Sequence, residues 1–328
     1  MKNYFKFNLT GKKLLPLWLL FMFLFLVPYV SVQFKLQSFQ HNPTPEVGQM
    51  FQRISSMFML YGVMLILVII EYIFFFYLIK MAINNTEFKG KVLEFKGQIG
   101  EFISVFLFGL LLTIITFGIY SPWFITDVYK FFTKNTHYNE SAFEFKGKAG
   151  NLFLIITLTL ILPMIVFMVI MFTMMFKQIA QSQTPNMAAT TMPIIMMGLI
   201  FVMMIPYMYF VYKWMVNLVY KNYLIQWETN FWPSVGVITG QILLTVITAG
   251  IYLPLASLKL YQYFAEKTFA KSDISTKTFG YEIEPLNDFL FIWGQSLLSI
   301  ITLGIYYPWA FCKITDRITA KTFMIEIN

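Results

Sequence analysis

Seven charged residues fall inside or beside apolar stretches, where an ionised side chain needs a partner or a functional role. They are Glu71, Asp127, Lys130, Lys213, Lys259, Lys313 and Asp316. Glu71 is flanked by Met57–Ile70 and Tyr72–Ile79, so nothing charged in its own segment compensates it. A carboxylate in such surroundings either takes up a proton or finds a cation. Its functional reading is a proton or cation relay paired with a lysine such as Lys213, and its plain reading is a structural ion pair or a hydrogen-bonded neutral acid. When the apolar segments are aligned on the polar-aromatic phrases that end them, Tyr77, Asp127, Lys213, Lys259 and Lys313 fall nine positions before each phrase. Six positions before it stand Lys80, Lys130, Val216, Gln262 and Asp316. Residues three apart share a helix face, so Asp127/Lys130 and Lys313/Asp316 are spaced so that they could form ion pairs. Nine residues of helix measure ~13 Å, a depth at which charges usually face a bundle interior or a water-filled path unless long side chains reach back to the interface.

Other chemistries find little support. No nucleophile–base pair, glycine-rich phosphate loop or usefully spaced pair of carboxylates is visible, and no enzyme is expected. Gly97-Gln-Ile-Gly100 and Gly147-Lys-Ala-Gly150 read as strand ends and helix starts. The single cysteine, Cys312, excludes an intrachain disulfide, and His41 and His137 are too far apart in sequence to suggest a metal site. Methionines gather at positions 164–175 and 192–208 without histidine or cysteine company, so packing is preferred to copper binding. No cofactor and no metal are expected.

The elements that must position these residues are membrane helices. The 328 residues are 58% hydrophobic and 12% charged, against about 25% charged in an ordinary soluble domain. Leu14–Val32, Met57–Ile79, Leu152–Phe176 and Thr191–Tyr212 are each about as long as the ~20 residues that cross a bilayer. The net charge of +8 sits in lysine-rich stretches between the apolar runs, whereas Lys35–Arg53 and Lys177–Met192 are polar and almost free of positive charge. By the positive-inside rule the lysine stretches and both termini face the cytoplasm and these two connections face out. That rule accounts for the basic charge, so lipids and a small solute are the expected partners, and nucleic acid is not.

One phrase occurs three times, as Thr113-Ile-Ile-Thr-Phe-Gly-Ile-Tyr-Ser-Pro-Trp123, Thr245-Val-Ile-Thr-Ala-Gly-Ile-Tyr-Leu-Pro254 and Ser299-Ile-Ile-Thr-Leu-Gly-Ile-Tyr-Tyr-Pro-Trp309. Gly118, Gly250 and Gly304 suit the left-handed end of a helix, and Pro122, Pro254 and Pro308 suit the start of the next. Tyr120, Tyr252 and Tyr306, with Trp123 and Trp309, complete the turns. Short alternating segments, such as Leu93-Glu-Phe-Lys-Gly97 and Phe143-Glu-Phe-Lys-Gly147, read as small cytoplasmic strand pairs. The expected fold is therefore an all-α polytopic membrane protein, one membrane domain over 1–328. Its tandem helical hairpins lie at about 5–86, 93–136, 143–222, 231–268 and 279–322, with short strand pairs between them.

The Phe-x-Phe-x-Gly lead-in, the Gly100-Glu101-Phe102 that follows it, the Thr-x-x-Thr-x-Gly-Ile-Tyr-x-Pro-Trp turn and the Asn135-Thr136 ending together resemble the YjgN-like family of bacterial inner-membrane proteins. The likeness covers about 88–150 and 278–323 well and the unit around 245–268 less well, since Leu255 stands where Trp123 and Trp309 stand elsewhere. The resemblance implies a multi-pass bacterial inner-membrane protein of unknown molecular function and brings no catalytic residues. The functional expectation is a transporter or channel-like protein for a polar or anionic solute. The alternative is a structural or lipid-organising membrane protein.

Overall fold

The long apolar stretches form helices, some of them carrying a proline as Pro16 does in the first, and the short alternating segments between them form strands. The computed structural model describes residues 1–41, 47–180 and 186–327. In chain order, β1 (Asn3–Phe7) precedes a long helical segment made of α1 (Gly11–Phe21), a π-helical turn (Met22–Leu26) and α2 (Val27–His41), followed by α3 (Val47–Ile83). Strands β2 (Thr86–Phe88), β3 (Lys91–Val92) and β4 (Glu94–Phe95) lead to helices α4 (Ile99–Ile115) and α5 (Ser121–Asn135). Strands β5 (Thr136–Tyr138) and β6 (Ser141–Phe145) precede α6 (Ala149–Ile156), a second π-helical turn (Thr157–Ile161), α7 (Leu162–Ala180) and α8 (Asn186–Met215). The chain then runs through β7 (Asn217–Tyr220), β8 (Tyr223–Trp227), α9 (Phe231–Ile247), α10 (Leu253–Glu266), β9 (Thr268–Lys271), β10 (Thr276–Tyr281), α11 (Pro285–Ile301), α12 (Tyr307–Ala320) and β11 (Thr322–Ile327). It divides into two compact units, the first Met1–Asn3, Ser104–Phe289 and Lys321–Asn328, the second Tyr4–Ile103 and Leu290–Ala320.

The strands overturn the all-α expectation. In the first unit β5, β6, β7, β8, β9, β10 and β11 form one continuous antiparallel ladder, each strand bonded to the next in sequence. Expected strand pairs are present as β5–β6 and β9–β10, whereas the β7–β8 pair forms where the helical hairpin at 143–222 was expected to end. They are joined because β6 pairs with β7, β8 with β9 and β10 with β11. The physical reason is the edge: an isolated pair leaves two rows of unpaired donors and acceptors, and pairing with the next strand in sequence removes them. The fold is thus helices on a sheet. In the second unit β1 pairs with β2, with Phe5 opposite Phe88, and β2 pairs with β3. That unit's core gathers Phe7, Leu9, Leu14, Phe74, Leu78 and Cys312.

Strand ends and helix starts are built alike. Phe7, Phe95, Phe145, Trp227 and Tyr281 close their strands and are buried. Seven residues after each stand Leu14, Phe102, Leu152, Ser234 and Asp288, all buried on the first turns of the helices. The column is apolar three times and polar twice.

Among the described residues, four helical segments are long and apolar enough to cross a membrane: Gly11–Ser38, Met50–Ile83, Ala149–Met174 and Gly198–Met215. Each π-helical turn ends two residues before a proline, Pro28 or Pro163, whose ring cannot accept the carbonyl four residues earlier in regular α geometry. The polar connections are shorter than the sequence suggests. Helix α2 runs to His41 and α3 starts at Val47, while α7 runs to Ala180 and α8 starts at Asn186. Nothing between Lys35 and His41 breaks a helix, whereas Pro43, Pro45 and Pro185 fall in 42–46 and 181–185, which lie outside the described residues.

The three turns share one geometry. Gly118, Gly250 and Gly304 have φ of 90°, 87° and 85°, and the residue before each, Phe117, Ala249 or Leu303, is also left-handed at 49°, 48° and 50°. Each glycine N–H bonds the carbonyl of Thr113, Thr245 or Ser299 at 2.8, 2.8 and 2.7 Å. Two successive left-handed residues close the first helix and reverse the chain, and the proline near the start of the next helix sacrifices no hydrogen bond there.

Candidate functional site

Where α6, α8, α9 and α10 meet the sheet of the first unit, they leave an open cavity of about 980 Å³. Lys213 reaches it from the last turn of α8, Lys267 from the end of α10, and Asn217, Gln226 and Glu228 from β7, β8 and the residue after β8. Asn151 comes from α6, and Trp214, Trp227 and Tyr263 give it aromatic walls. The walls are held from behind. Trp214 donates its Nε1–H to the Lys148 carbonyl at 3.0 Å, fastening α8 to the start of α6. Trp227 lies among Tyr209, Tyr212 and Phe264, with ring centroids 5.2, 5.1 and 5.2 Å away. The hydroxyls of Thr229, Ser234 and Tyr263 lie within 2.8–3.0 Å of one another. Ser234 is fully buried, so this cluster satisfies the polar member of an otherwise apolar column.

The charges do not balance at the cavity. Glu228 is 2.5 Å from Lys271 and so is already paired. Lys213 and Lys267 have no carboxylate partner among the described residues; the Lys213 ammonium lies 6.0 Å from the Tyr209 ring centroid. Two cations therefore face a space also lined by amide side chains. Trp227 Nε1 is one of two buried side-chain polar atoms without a hydrogen bond among the described residues, the other being Thr157 Oγ1 in the second π-helical turn. An unpaired buried donor costs about 1–3 kcal/mol.

The residues singled out in the sequence do not converge here as a set; only Lys213 lines this cavity. Its register differs from that of the others. The Lys221-Asn222 phrase is the tip of the β7–β8 hairpin, with Lys221 left-handed at φ 52°, and β7 already begins at Asn217. Lys213 therefore stands four residues before its strand, and Asp127, Lys259 and Lys313 stand nine before theirs. Asp127 and Lys130 are exposed and line a smaller groove of about 330 Å³ with Gly109 and Lys134. They form no ion pair with each other, and neither do Lys313 and Asp316. Lys313 instead donates to the Tyr306 hydroxyl at 2.9 Å, and Lys259 lies 5.8 Å from the Tyr252 ring centroid. The reason is helix geometry: side chains lean toward the N-terminus, so Lys313 reaches two turns back to the tyrosine and away from Asp316. Glu71 is half-buried on α3 in the second unit and has no ion pair among the described residues.

The sequence reading missed Lys267, Trp227 and a buried charge cluster at the start of α11. Asp288 is 1% exposed; its Oδ1 is 2.6 Å from Lys321 Nζ, and its Oδ2 accepts from the Glu284 N–H at 2.8 Å. Glu284 lies 3.2 Å from the same lysine, and hydrogen bonds from Asn287 and Lys321 hold its carboxyl below the usual carboxylate range. A usable signal existed: aligning the helices on the last residue of the preceding strand puts Asp288 in a column with Leu14, Phe102 and Leu152. Among the described residues, no group of three histidine, cysteine, aspartate or glutamate side chains is arranged to hold a metal.

Residues 2–282 match the family model described as a bacterial protein of unknown function, DUF898, consistent with the resemblance to a YjgN-like family of unknown activity. No curated protein and no solved structure matches the chain.

Proposed function

The chain belongs to the DUF898 family of bacterial proteins of unknown function, and from that premise we propose that it is a transporter or channel-like protein of the inner membrane for a polar or anionic solute. The observation that carries this reading is the cavity between α6, α8, α9 and α10, where among the described residues Lys213 and Lys267 lack carboxylate partners while Glu228 is tied to Lys271. Its volume is at the upper end of the ~300–1,000 Å³ common for small-molecule sites. In this reading the protein is no enzyme, both termini and the sheet face the cytoplasm, and the helix pairs are copies of one duplicated unit. Its partners are lipids and the solute, and nucleic acid has no part.

The test is binding followed by flux. Purified protein is titrated with inorganic phosphate, a dicarboxylate and a zwitterionic amino acid while the emission of Trp214 and Trp227 is followed, and any ligand found is offered to proteoliposomes. Lys213→Gln and Lys267→Gln are each expected to weaken anion binding about tenfold or more, as loss of a charge-assisted contact does. Flat titrations with every probe, or binding unmoved by both substitutions, reject the reading. Binding without flux would favour the second one, a structural or lipid-organising protein. That alternative draws on Asp127, Lys259, Lys313 and Asp316, which stand outside the cavity.

A further inference from the structure

We infer that the three short hairpins, α4–α5, α9–α10 and α11–α12, are re-entrant: each turns inside the hydrocarbon of one leaflet and returns to the side it came from, with lipid acyl chains covering its tip. This does not rest on the cavity reading. Each hairpin starts with a helix of 17 residues, or ~25 Å.

The depth of two tips can be read against a membrane-length helix in the same unit. In the second unit Trp18 donates its Nε1–H to the Gly304 carbonyl at 2.9 Å, and its ring stacks on Tyr307 at 4.4 Å. The α11–α12 turn is therefore level with the eighth residue of the Gly11–Ser38 span, which continues from Trp18 for twenty more residues, ~30 Å. In the first unit Trp123, just after the α4–α5 turn, lies 5.4 Å from Phe153, the fifth residue of the Ala149–Met174 span. The remaining 21 residues measure ~31 Å. A hydrocarbon core is ~30 Å thick, so a tip that far short of the span's other end does not reach the opposite surface.

The tips themselves are made for hydrocarbon. Phe117 is 97% exposed, Leu303 85% and Ile247 77%, and no charged residue occurs in 113–123, 245–254 or 299–309. Irregular backbone in that medium must satisfy its own polar groups, and here the amides do so. In the α11–α12 turn the N–H groups of Thr302, Leu303, Gly304, Ile305 and Tyr307 all bond carbonyls of the hairpin, at 2.7–3.1 Å. The remaining N–H, on Tyr306, bonds Thr302 Oγ1 at 3.0 Å, and that hydroxyl in turn donates to Leu298 O at 2.8 Å. The α4–α5 and α9–α10 turns repeat the pattern through Thr116 and Thr248. A loop bathed in water would need none of this.

The test uses a Cys312→Ala background with single cysteines at Phe117, Ile251 and Leu303, and at Ile119, Leu253 and Ile305 as a second set should any of the first assemble poorly. Gln52→Cys on the outer end of α3 and Asn222→Cys on the β7–β8 hairpin serve as side markers. In intact membrane vesicles of both orientations, a membrane-impermeant maleimide is expected to label each marker from one side only. The tip cysteines are expected to label from neither side, and then fully after detergent. A nitroxide at the Leu303 position is expected to relax faster with oxygen than with a water-soluble nickel chelate. Labelling of the tips from the Gln52 side would mean that the hairpins cross, and labelling from the Asn222 side would mean that they lie in water; either outcome overturns the inference.

Discussion

Hairpins α4–α5 and α11–α12 share their turn almost atom for atom and differ in what fills the space beside it. In α11–α12 the Tyr306 hydroxyl donates to Gln295 Oε1 at 2.9 Å and accepts from Lys313 Nζ at 2.9 Å. Hairpin α9–α10 keeps the same residues, with Tyr252 donating to Gln241 Oε1 at 3.2 Å. In α4–α5 the positions eleven before and seven after the tyrosine hold Gly109 and Asp127. A Cβ on Gly109 would come within 2.1 Å of the Phe124 ring, and where Phe124 stands the other hairpins carry Ala256 and Ala310. A ring against a glycine has replaced a glutamine beside an alanine. The same contrast recurs at the helix start, where Phe102 is the counterpart of Asp288. The lesson is that the turn specifies the hairpin, and the polar chain is an addition that one hairpin does without.

Three experiments test this contrast. The largest effect is expected at Asp288. Asp288→Leu leaves Lys321 without its buried carboxylate and should cost about 3–5 kcal/mol, read from thermal or denaturant unfolding in detergent. Importing the α4–α5 pair, Asp288→Phe with Lys321→Asn, should recover most of that loss. No recovery would mean that the two helix starts are not interchangeable.

Next comes the exchange beside the turn. Gly109→Gln alone drives a side chain into the Phe124 ring and should destabilise by about 1–3 kcal/mol. Adding Phe124→Ala should return stability to near the parent. Strict additivity of the two substitutions in a double-mutant cycle would show that they are not one packing unit.

The smallest effect separates the hydroxyls. Tyr306→Phe removes a hydrogen bond in each direction and should cost about 0.5–1.5 kcal/mol. Tyr120→Phe should be nearly silent, because the Tyr120 hydroxyl has no hydrogen bond among the described residues. Equal losses at both positions would erase the distinction between the hairpins.

What the chain wrote locally was most of the helices and above all the turn, while β7 lay hidden in what read as the end of a helix. Thr-x-Gly-Ile-Tyr-x-Pro closes through hydrogen bonds between residues three to five apart, such as Gly304 to Ser299 and Tyr306 to Thr302, so its geometry is legible wherever the phrase appears. Chain periodicity could not show that β6 pairs with β7, because Phe143 meets Tyr220 only after an intervening helix pair brings the two strands side by side. The same distance hid the cavity: Asn151, Lys213, Gln226 and Lys267 belong to four elements that the sheet and the Trp214 and Trp227 contacts draw together. Lys213 was seen but assigned the wrong depth, since a lysine-asparagine phrase at a hairpin tip looks in sequence like one at a helix end. Spacing alone also left open whether Asp316 or Tyr306 is the partner of Lys313. Both lie on its helix face, and the lean of side chains toward the N-terminus favours the one two turns back.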